Sequence, residues 1–474
     1  MEPVRAHITV YGCQMNRLDG RLVADVLRAD GACVVDVPGE ANVLLYLTCS
    51  VRAHAEDRVF SNVGALAERK RAEPGLVIGI LGCMAQQYGD GIRRRAPGVD
   101  LVCAPGRLAE LPALLARARA GERVVALDPR RGEGGAEGFA GPDAALDRFG
   151  ACRDASSDAP GRAFVRVMRG CDAFCAYCVV PHVRGPERSR APGEVLEEVR
   201  RLAGQGVVQV TLLGQAVNAY AAEADGRRWD LADLVSGVAA VPGVERVQFI
   251  TNHPRAMTPR LAAVLRDVPR VAPYLHMPAQ SGSDAVLARM NRHYTAGEYV
   301  DRVAMVRAAR PEVAVASDFI VGFPGETEAD FESTLALVRE VRFAGGFVFK
   351  YSPRPGTAAA RRFEDDVPDE EKRRRHQVLL ETVGRIAEEE NRRFVGQRVE
   401  VFVEGPSPRP GLNRGGPGSA DRPDWVQLRG RTPGNRIAVF DGPPDLAGRI
   451  VPVRLVEARA VTLFAEWDGP ASDR

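Results

Sequence analysis

A repeated strand-then-helix pattern runs from about residue 161 to about residue 390. Short apolar runs predict strands, and helical patterns separate most of them. The six candidate strands are Ala163–Met168, Val207–Leu213, Arg246–Ile250, Tyr274–Met277, Val313–Ile320 and Phe347–Lys350. Alternating strands and helices form parallel sheets, and six units are too few for a closed eight-fold barrel. The pattern therefore predicts an open partial (β/α)6 TIM-like barrel with its chemistry at the carboxyl ends of the strands.

Two further regions flank this barrel. The first alternates apolar runs with helical patterns, which predicts a Rossmann-like parallel sheet; its candidate strands are Ile8–Tyr11, Val43–Leu47, Val77–Leu81 and Leu101–Val102. The last predicts a small β-barrel; its candidate strands are Arg398–Glu404, Trp425–Leu428, Ile437–Phe440, Ile450–Val456 and Thr462–Glu466. We therefore expect an α/β multidomain protein. Its predicted segments are an N-terminal domain at 1–128, a linker at 129–160, a barrel at 161–394, a β-barrel at 395–466 and, inside that, an exposed Pro- and Gly-rich loop at 406–423.

The composition indicates the cellular compartment in which the protein works. The chain has nine cysteines but no basic patch followed by an apolar run at its start, and no stretch approaches the length of a membrane span. We therefore expect a cytoplasmic protein with no membrane partner, whose cysteines bind metal rather than form disulfides. The net charge of +2 gives no sign of a nucleic-acid partner.

Three cysteines lie close together on the loop after the first barrel strand. They are Cys171, Cys175 and Cys178, in a C-x3-C-x2-C run. Three thiolates can hold three irons of a [4Fe–4S] cube and leave the fourth iron open to a small molecule with amino and carboxylate groups. The alternative is zinc, because His182 follows four residues later and could complete a Cys3His set.

A second set of cysteines is spread along the N-terminal region. Cys13, Cys49 and Cys83 each follow a predicted strand by two residues. Because neighbouring parallel strands end at a common edge, the three thiols can converge there. Three thiolates again leave a cluster one ligand short. The remaining cysteines, Cys33, Cys103 and Cys152, are predicted to be small apolar residues.

Taken together, these motifs resemble the radical S-adenosylmethionine (SAM) methylthiotransferase family over nearly the whole chain. The matching blocks are Tyr11–Asn16 (YGCQMN), Arg169–Cys178 (RGCDAFCAYC), Arg184–Arg190 (RGPERSR), Gln280–Ser283 (QSGS), Met290–Arg292 (MNR), Gly322–Thr327 (GFPGET) and Tyr351–Thr357 (YSPRPGT). Within the family, Gly12–Asn16 and Val179–Gly185 are similar to the transfer-RNA branch that acts on isopentenyladenosine. The resemblance also implies that the last barrel is a TRAM domain.

The resemblance implies two [4Fe–4S] clusters and SAM as cofactors. Cys171, Cys175 and Cys178 would hold the cluster that cleaves SAM, and Cys13, Cys49 and Cys83 would hold an auxiliary cluster that carries the sulfur. Four residues would contact SAM, or else only anchor and turn their loops: Tyr177, Gly214, Gly322 and Gly325. No acid–base side chain is required as a catalyst, and His253 and His276 are expected to be structural or adjacent to SAM.

The implied reaction is methylthiolation at C2 of N6-isopentenyladenosine at position 37 of tRNA. The implied partners are that tRNA and an electron donor such as flavodoxin or ferredoxin, while the sulfur donor stays unknown. Arg184, Arg188 and Arg190 could meet RNA phosphate, or instead form an ion-paired rim of the barrel with Glu187.

Two alternatives stay open. Branches of the family that act on a ribosomal-protein aspartate or on threonylcarbamoyladenosine typically have Lys after the first Gly-Cys, where this chain has Gln14. A non-enzymatic RNA-binding protein with iron–sulfur or zinc sites is the other alternative. It is disfavoured because structural metal sites tend to have a full ligand set.

Overall fold

The computed structural model describes residues 2–50, 53–129, 160–408 and 424–467, together with the single residues 146 and 469. The predicted linker at 129–160 and the Pro- and Gly-rich loop at 406–423 lie almost entirely outside the described residues. Within the described ranges, no helix combines the length and the apolar character that a membrane crossing requires.

The N-terminal domain is built on a six-stranded sheet in which every strand pair is parallel. Its strands are β1 (Arg5–Tyr11), β2 (Cys33–Val34), β3 (Val43–Thr48), β4 (Val77–Gly82), β5 (Leu101–Cys103) and β6 (Val124–Ala126). Its α-helices are α1 (Gln14–Ala29), α2 (Ala53–Ala65), α3 (Ala67–Ala72), α4 (Cys83–Tyr88), α5 (Ile92–Arg95) and α6 (Leu111–Arg119). The strand order is β2-β1-β3-β4-β5-β6, and all residues of β3 and β4 are buried. The predicted parallel sheet is confirmed, because continuous apolar runs suit strands covered on both faces.

The central domain is an open barrel. In chain order its strands are β7 (Arg162–Arg166), β8 (Met168–Arg169), β9 (Arg188–Ser189), β10 (Gln209–Leu213), β11 (Ala221–Ala224), β12 (Arg227–Asp230), β13 (Arg246–Phe249), β14 (Tyr274–His276), β15 (Ala314–Val321) and β16 (Gly345–Lys350). The wall consists of two parallel sheets, β7-β10-β13 and β14-β15-β16, which are joined by a bridge between Val247 and Val271. No pairing joins β7 to β16 in the described chain. The open six-stranded barrel is therefore confirmed.

Helices alternate with the strands of this domain. They are α7 (Val180–Val183), α8 (Pro192–Gly204), α9 (Leu231–Ala239), α10 (Pro259–Asp267), α11 (Asp284–Arg289), α12 (Ala296–Ala309), α13 (Glu328–Val341), α14 (Ala358–Arg362) and α15 (Asp369–Arg392). In α8, Val195, Val199 and Leu202 recur on one helical face and join the same core as Val165 and Val210 of the wall. Apolar faces of this kind made the alternation of strands and helices predictable from the sequence.

The C-terminal region forms a closed five-stranded barrel with strand order β17-β18-β19-β21-β20, as predicted. Its strands are β17 (Arg398–Pro406), β18 (Val426–Arg431), β19 (Ile437–Gly442), β20 (Ile450–Ala458) and β21 (Thr462–Glu466). It packs against the first residues of the central strands. Arg162, which begins β7, pairs with Glu404, and Arg246, which begins β13, donates to the carbonyl of Arg431 at 3.1 Å. The small barrel thus covers the amino ends of the strands and leaves the carboxyl ends for chemistry.

Glu404 is the centre of this domain contact. Its side chain is 7% exposed and accepts a hydrogen bond from Arg429 at 2.9 Å, while Arg162 and Arg431 also pair with it. We expect Glu404→Gln to lower the free energy of unfolding by about 2 kcal/mol, because hydrogen bonds to charged groups contribute roughly that much. Urea unfolding followed by circular dichroism measures it. Glu457→Gln is the control, since Glu457 is 46% exposed and pairs with the exposed Arg459 of its own barrel; equal losses in the two variants would contradict the prediction.

The same contact predicts a pH dependence. Burial alone would raise the pKa of Glu404, but Arg431, Arg162 and Arg429 lower it below its ordinary value. The stabilisation is therefore fully present above the unfolded pKa of about 4.3 and is lost as the pH falls through the lower folded pKa. In Glu404→Gln, stability should fall less steeply over that acidic range than in the unaltered chain.

Candidate active site

The loop that carries Cys171, Cys175 and Cys178 is shaped by its backbone. Gly170, just before it, has φ +73°, and a Cβ there would lie 1.9 Å from the carbonyl oxygen of Pro186. The backbone N–H of Ala176 donates to the carbonyl of Met290 at 2.8 Å. The loop is therefore closed against the chain that follows it and tied to the residues after α11.

The three thiols of this loop lie within electrostatic reach of one another. Burial, with a further contribution from the neighbouring Cys175, raises the pKa of Cys171 to about 11. Burial also raises the pKa of Cys178, with Cys175 and Cys171 adding to the effect. Among the described residues, no three His, Cys, Asp or Glu side chains surround a single ion. His182 is exposed and does not complete a zinc site with them. Three soft thiolates on one short loop suit an iron–sulfur cube.

The second trio converges at the carboxyl edge of the N-terminal sheet. Cys13 follows β1, Cys49 follows β3, and Cys83 begins α4 directly after β4. A hydrogen bond with Cys49 lowers the pKa of Cys13 to about 6, against the opposing effect of burial. A Cβ on Gly12 would lie 2.8 Å from the Cβ of Cys49, so the loops touch where only glycine fits. Three strand ends thus bring together thiols that are far apart in sequence.

Polar atoms without partners surround this second trio. The Asn16 amide nitrogen and the Thr48 and Ser50 hydroxyl oxygens are buried and make no hydrogen bond with the protein. Each of these residues lies within three positions of a cysteine of the trio. Buried polar groups of native proteins normally have partners. A thiolate-lined site with such groups fits a bound inorganic cluster, whose sulfurs accept hydrogen bonds.

Buried polar atoms without hydrogen-bond partners also lie at the mouth of the barrel. The side-chain oxygens of Gln215, after β10, and of Asn252, after β13, are buried without partners. Both residues follow the carboxyl ends of wall strands. Amide oxygens accept hydrogen bonds, so this lining fits a ligand with a donor such as an amino group, which SAM has.

The two trios are neighbours. Cys83 of one packs with Val179 and Val183, and Val179 directly follows Cys178 of the other. Arg184, the residue directly after α7, donates through Nε to the Cys83 sulfur at 3.1 Å. Residues from both cysteine loops are therefore in direct contact across the boundary between the two domains.

Arg184 is held by a buried carboxylate. Its Nη2 lies 2.6 Å from Oδ2 of Asp19 in α1, in an ion pair whose N–H is not aligned with the oxygen. Asp19 also accepts a hydrogen bond from Arg166 of β7 at 3.0 Å. Burial alone would lower the pKa of Arg184, but Asp19 and the thiols of Cys83 and Cys13 raise it above its ordinary value. The guanidinium is thus a permanent positive charge beside the second trio.

The first trio has its own buried arginine. Arg292 is 4% exposed and donates through Nη1 to the Cys175 sulfur at 3.3 Å. Its other partners are the carbonyl of Pro278, at 2.9 Å from Nη2, and the hydroxyl of Tyr294, at 2.9 Å from Nε. Sequence reasoning gave Arg292 no role, although it lies in the matched Met290–Arg292 block.

Two of the three arginines predicted to meet RNA are directed inward. Arg184 pairs with Asp19, and Arg190 pairs with Glu198 at 2.6 Å. The prediction of phosphate contacts disagrees with this burial for both residues, because two internal carboxylates neutralise them. Arg188 lies half-buried in β9. One signal was available for Asp19, since it lies on the buried face of α1, where a carboxylate needs a partner.

The predicted SAM contacts lie at the mouth of the barrel. Tyr177 packs beside an apolar cluster that contains Phe323. Gly214 follows β10, where a Cβ would lie 2.6 Å from the Met168 side chain. Gly322 and Gly325 have φ of +69° and +73°, so a turn alone requires them to be glycine.

The comparisons with known proteins agree with this geometry. Residues 165–338 match the profile of the Radical SAM superfamily, and residues 5–104 match that of the Uncharacterized protein family UPF0004. The fold is similar to that of TsrM, a radical S-adenosylmethionine methyltransferase from Kitasatospora setae. That similarity has a TM-score of 0.52 at 12% identity and covers 76% of this chain and 77% of the other. The chain is thus a radical SAM protein, a class that implies SAM and a [4Fe–4S] cluster.

Relatives define the family more narrowly. The chain is 44% identical to the tRNA-2-methylthio-N(6)-dimethylallyladenosine synthase of Rhodopirellula baltica, over 97% of this chain and 94% of that protein. It is 43% identical to the protein of the same name from Alkalilimnicola ehrlichii, over 99% and 98% of the two chains. The chain belongs to the family of tRNA-2-methylthio-N(6)-dimethylallyladenosine synthases.

The shape of the first cysteine loop yields a prediction. We expect Gly170→Ala to lower the iron content of anaerobically reconstituted protein by about four per chain, because the added methyl collides with the Pro186 carbonyl and displaces the loop. Gly206→Ala is the control. Gly206 has φ +87° but open space around its Cβ position, so it carries only a conformational cost of about 1 kcal/mol. Full iron in Gly170→Ala would contradict the argument.

Proposed function

We propose that this protein inserts sulfur at, and methylates, C2 of N6-isopentenyladenosine at position 37 of tRNA, giving 2-methylthio-N6-isopentenyladenosine. The observation that carries the proposal is the adjacency of the two thiol trios, in which Cys83 packs against the residue that follows Cys178. The relatives' name gives the same tRNA nucleoside as the product, since dimethylallyl and isopentenyl are two names for one group.

The two trios are proposed to hold two [4Fe–4S] clusters. Cys171, Cys175 and Cys178 would bind the cluster that works with SAM, and Cys13, Cys49 and Cys83 would bind the auxiliary one. With three protein ligands each, both clusters keep one iron open. When bound, these groups supply radical chemistry and a sulfur atom, which an adenine C2–H requires because it is neither acidic nor electrophilic.

The chain's own contribution is positioning. Reacting atoms must approach to about 3–3.5 Å, so the two domains must be held in one arrangement. At one edge of the open barrel, Asp19 of α1 pairs with Arg166. At the other edge, Gln87 donates to the carbonyl of Pro355 at 2.6 Å, and Arg354 pairs with Glu56 at 3.4 Å. The N-terminal domain is therefore fastened to the barrel on both sides of the site.

Contacts with SAM and RNA belong to the same proposal. Tyr177, Gly214, Gly322 and Gly325 are proposed to border SAM, because they lie at the mouth of the barrel with the first cysteine trio. Arg188 is the one of the three predicted arginines that we keep as a phosphate contact. A nucleotide next to the anticodon lies in a loop, where bases can be splayed out at modest cost.

Several further features are proposed on the family's chemistry. The electron donor would be a protein such as flavodoxin or ferredoxin, and the site of action the cytoplasm. The domain bounds 1–128, 161–394 and 395–466 are supported by the strands, since the first sheet ends at Ala126, β7 begins at Arg162 and β17 begins at Arg398.

Iron content tests the two-cluster assignment. We expect about eight irons per chain after anaerobic reconstitution, and about four when Cys13, Cys49 and Cys83 are all replaced by Ala. Cys33→Ser is the control and should keep about eight, because Cys33 is an exposed residue of β2. A triple variant that retains about eight irons would show that the second trio binds none.

Nucleoside analysis tests the substrate. Transfer RNA from cells that lack this gene should have no 2-methylthio-N6-isopentenyladenosine and should accumulate N6-isopentenyladenosine. The unaltered chain should restore the product and Cys83→Ala should not, because the auxiliary site loses a ligand. If the modified nucleoside persists in the deletion strain, the substrate assignment is wrong while the iron prediction still stands.

A further inference from the structure

Arg184 occupies a position that neither cluster's ligand set requires. It belongs to the chain segment that follows the first cysteine trio, yet its side chain donates to Cys83 of the second trio. We propose that Arg184 is a positioning residue that raises the reduction potential of the auxiliary cluster, and that Asp19 holds its guanidinium in place and offsets part of its charge. This inference rests on the auxiliary cluster of the proposed function.

The contacts are short and shielded from solvent. Nε of Arg184 lies 3.1 Å from the Cys83 sulfur, and Nη2 lies 2.6 Å from Oδ2 of Asp19. The side chains of Arg184 and Asp19 are 5% and 0% exposed. A single guanidinium therefore spans a ligand sulfur and a carboxylate. Its planar fork of donors allows this double contact, which the compact ammonium of lysine reproduces poorly.

The direction of the effect follows from electrostatics. Reduction adds an electron to the cluster, and a positive charge or a hydrogen bond at a ligand sulfur stabilises that added negative charge. Arg184 therefore raises the potential, whereas the carboxylate of Asp19 acts in the opposite sense. Because both groups are buried, solvent screens them little.

The arginine beside the first cysteine trio has different partners from Arg184. Arg292 donates to Cys175, but its other hydrogen bonds go to the Pro278 carbonyl and the Tyr294 hydroxyl, which are neutral. Both trios thus have one buried arginine on one sulfur. In the described part of the chain, a carboxylate forms an ion pair with the arginine beside Cys83, whereas the hydrogen-bond partners of Arg292 are neutral apart from the Cys175 sulfur. Asp19 also binds Arg166, so the group that moderates the charge is fixed to the barrel wall as well.

The test isolates the auxiliary site in the full-length chain. In a background in which Cys171, Cys175 and Cys178 are replaced by Ala, the remaining cluster can occupy only the second trio. Its potential is measured by titration with dithionite and mediators, followed by electron paramagnetic resonance. We expect Arg184→Gln to shift the potential to more negative values and Asp19→Asn to shift it to more positive values, with about four irons retained in each.

Opposite signs distinguish this role from a structural one, since a loosened site would disturb both variants in the same sense. Arg190→Gln is the matched control, because Arg190 lies in the same segment and pairs with Glu198; it should leave the potential unchanged. If Arg184→Gln holds no iron, Arg184→Lys should show a smaller negative shift. Four irons with an unmoved potential in the Arg184 and Asp19 variants would overturn this inference alone. A background chain without iron would overturn the auxiliary site and the inference together.

Discussion

The structure depends on the pairing of one buried carboxylate with two arginines from another domain. Asp19 is fully buried in α1 and contacts Arg166 of the barrel wall and Arg184 of the cysteine-bearing segment. A buried carboxylate left without partners is costly, so this pairing constrains how the two domains can dock. Apolar contact extends it, because Phe164 and Leu213 of the barrel share a core with Leu18 and Leu22 of α1. The adjacency of the two thiol trios follows from this docking.

The strands were predictable where burial is continuous. Long apolar runs such as β3 and β4 are covered on both faces, so their sequences carry a clear signal. The short strands β2 and β6 were missed because two or three residues carry no period. The hairpin of β11 and β12 was missed for a different reason. It contains Glu223, Arg227 and Arg228 at exposed positions, and only the pair of Ala222 and Trp229 packs on the core, so its sequence carries little apolar alternation.

The site was predictable as far as parallel topology determines it. Cysteines at three adjacent strand ends must share an edge, so the convergence of Cys13, Cys49 and Cys83 could be read from spacing alone. The roles of arginines could not. Arg184 and Arg190 look like a basic surface patch in sequence, and only the fold reveals that Asp19 and Glu198 lie behind them. A charged residue in a sequence does not reveal whether its side chain faces solvent or an internal partner. The order of parallel strands, in contrast, does predict which edge of the sheet their ends share.

The placement of the C-terminal barrel bears on how RNA reaches the site. That barrel packs on the amino ends of the wall strands through Glu404 and the carbonyl of Arg431. The first cysteine trio follows the carboxyl ends of β7 and β8, and the second trio lies beside that loop at the carboxyl edge of the N-terminal sheet. The two ends are separated by the length of the strands, and β15, at eight residues, spans roughly 26 Å at about 3.3 Å per residue. A tRNA that touched both would have to run alongside the barrel.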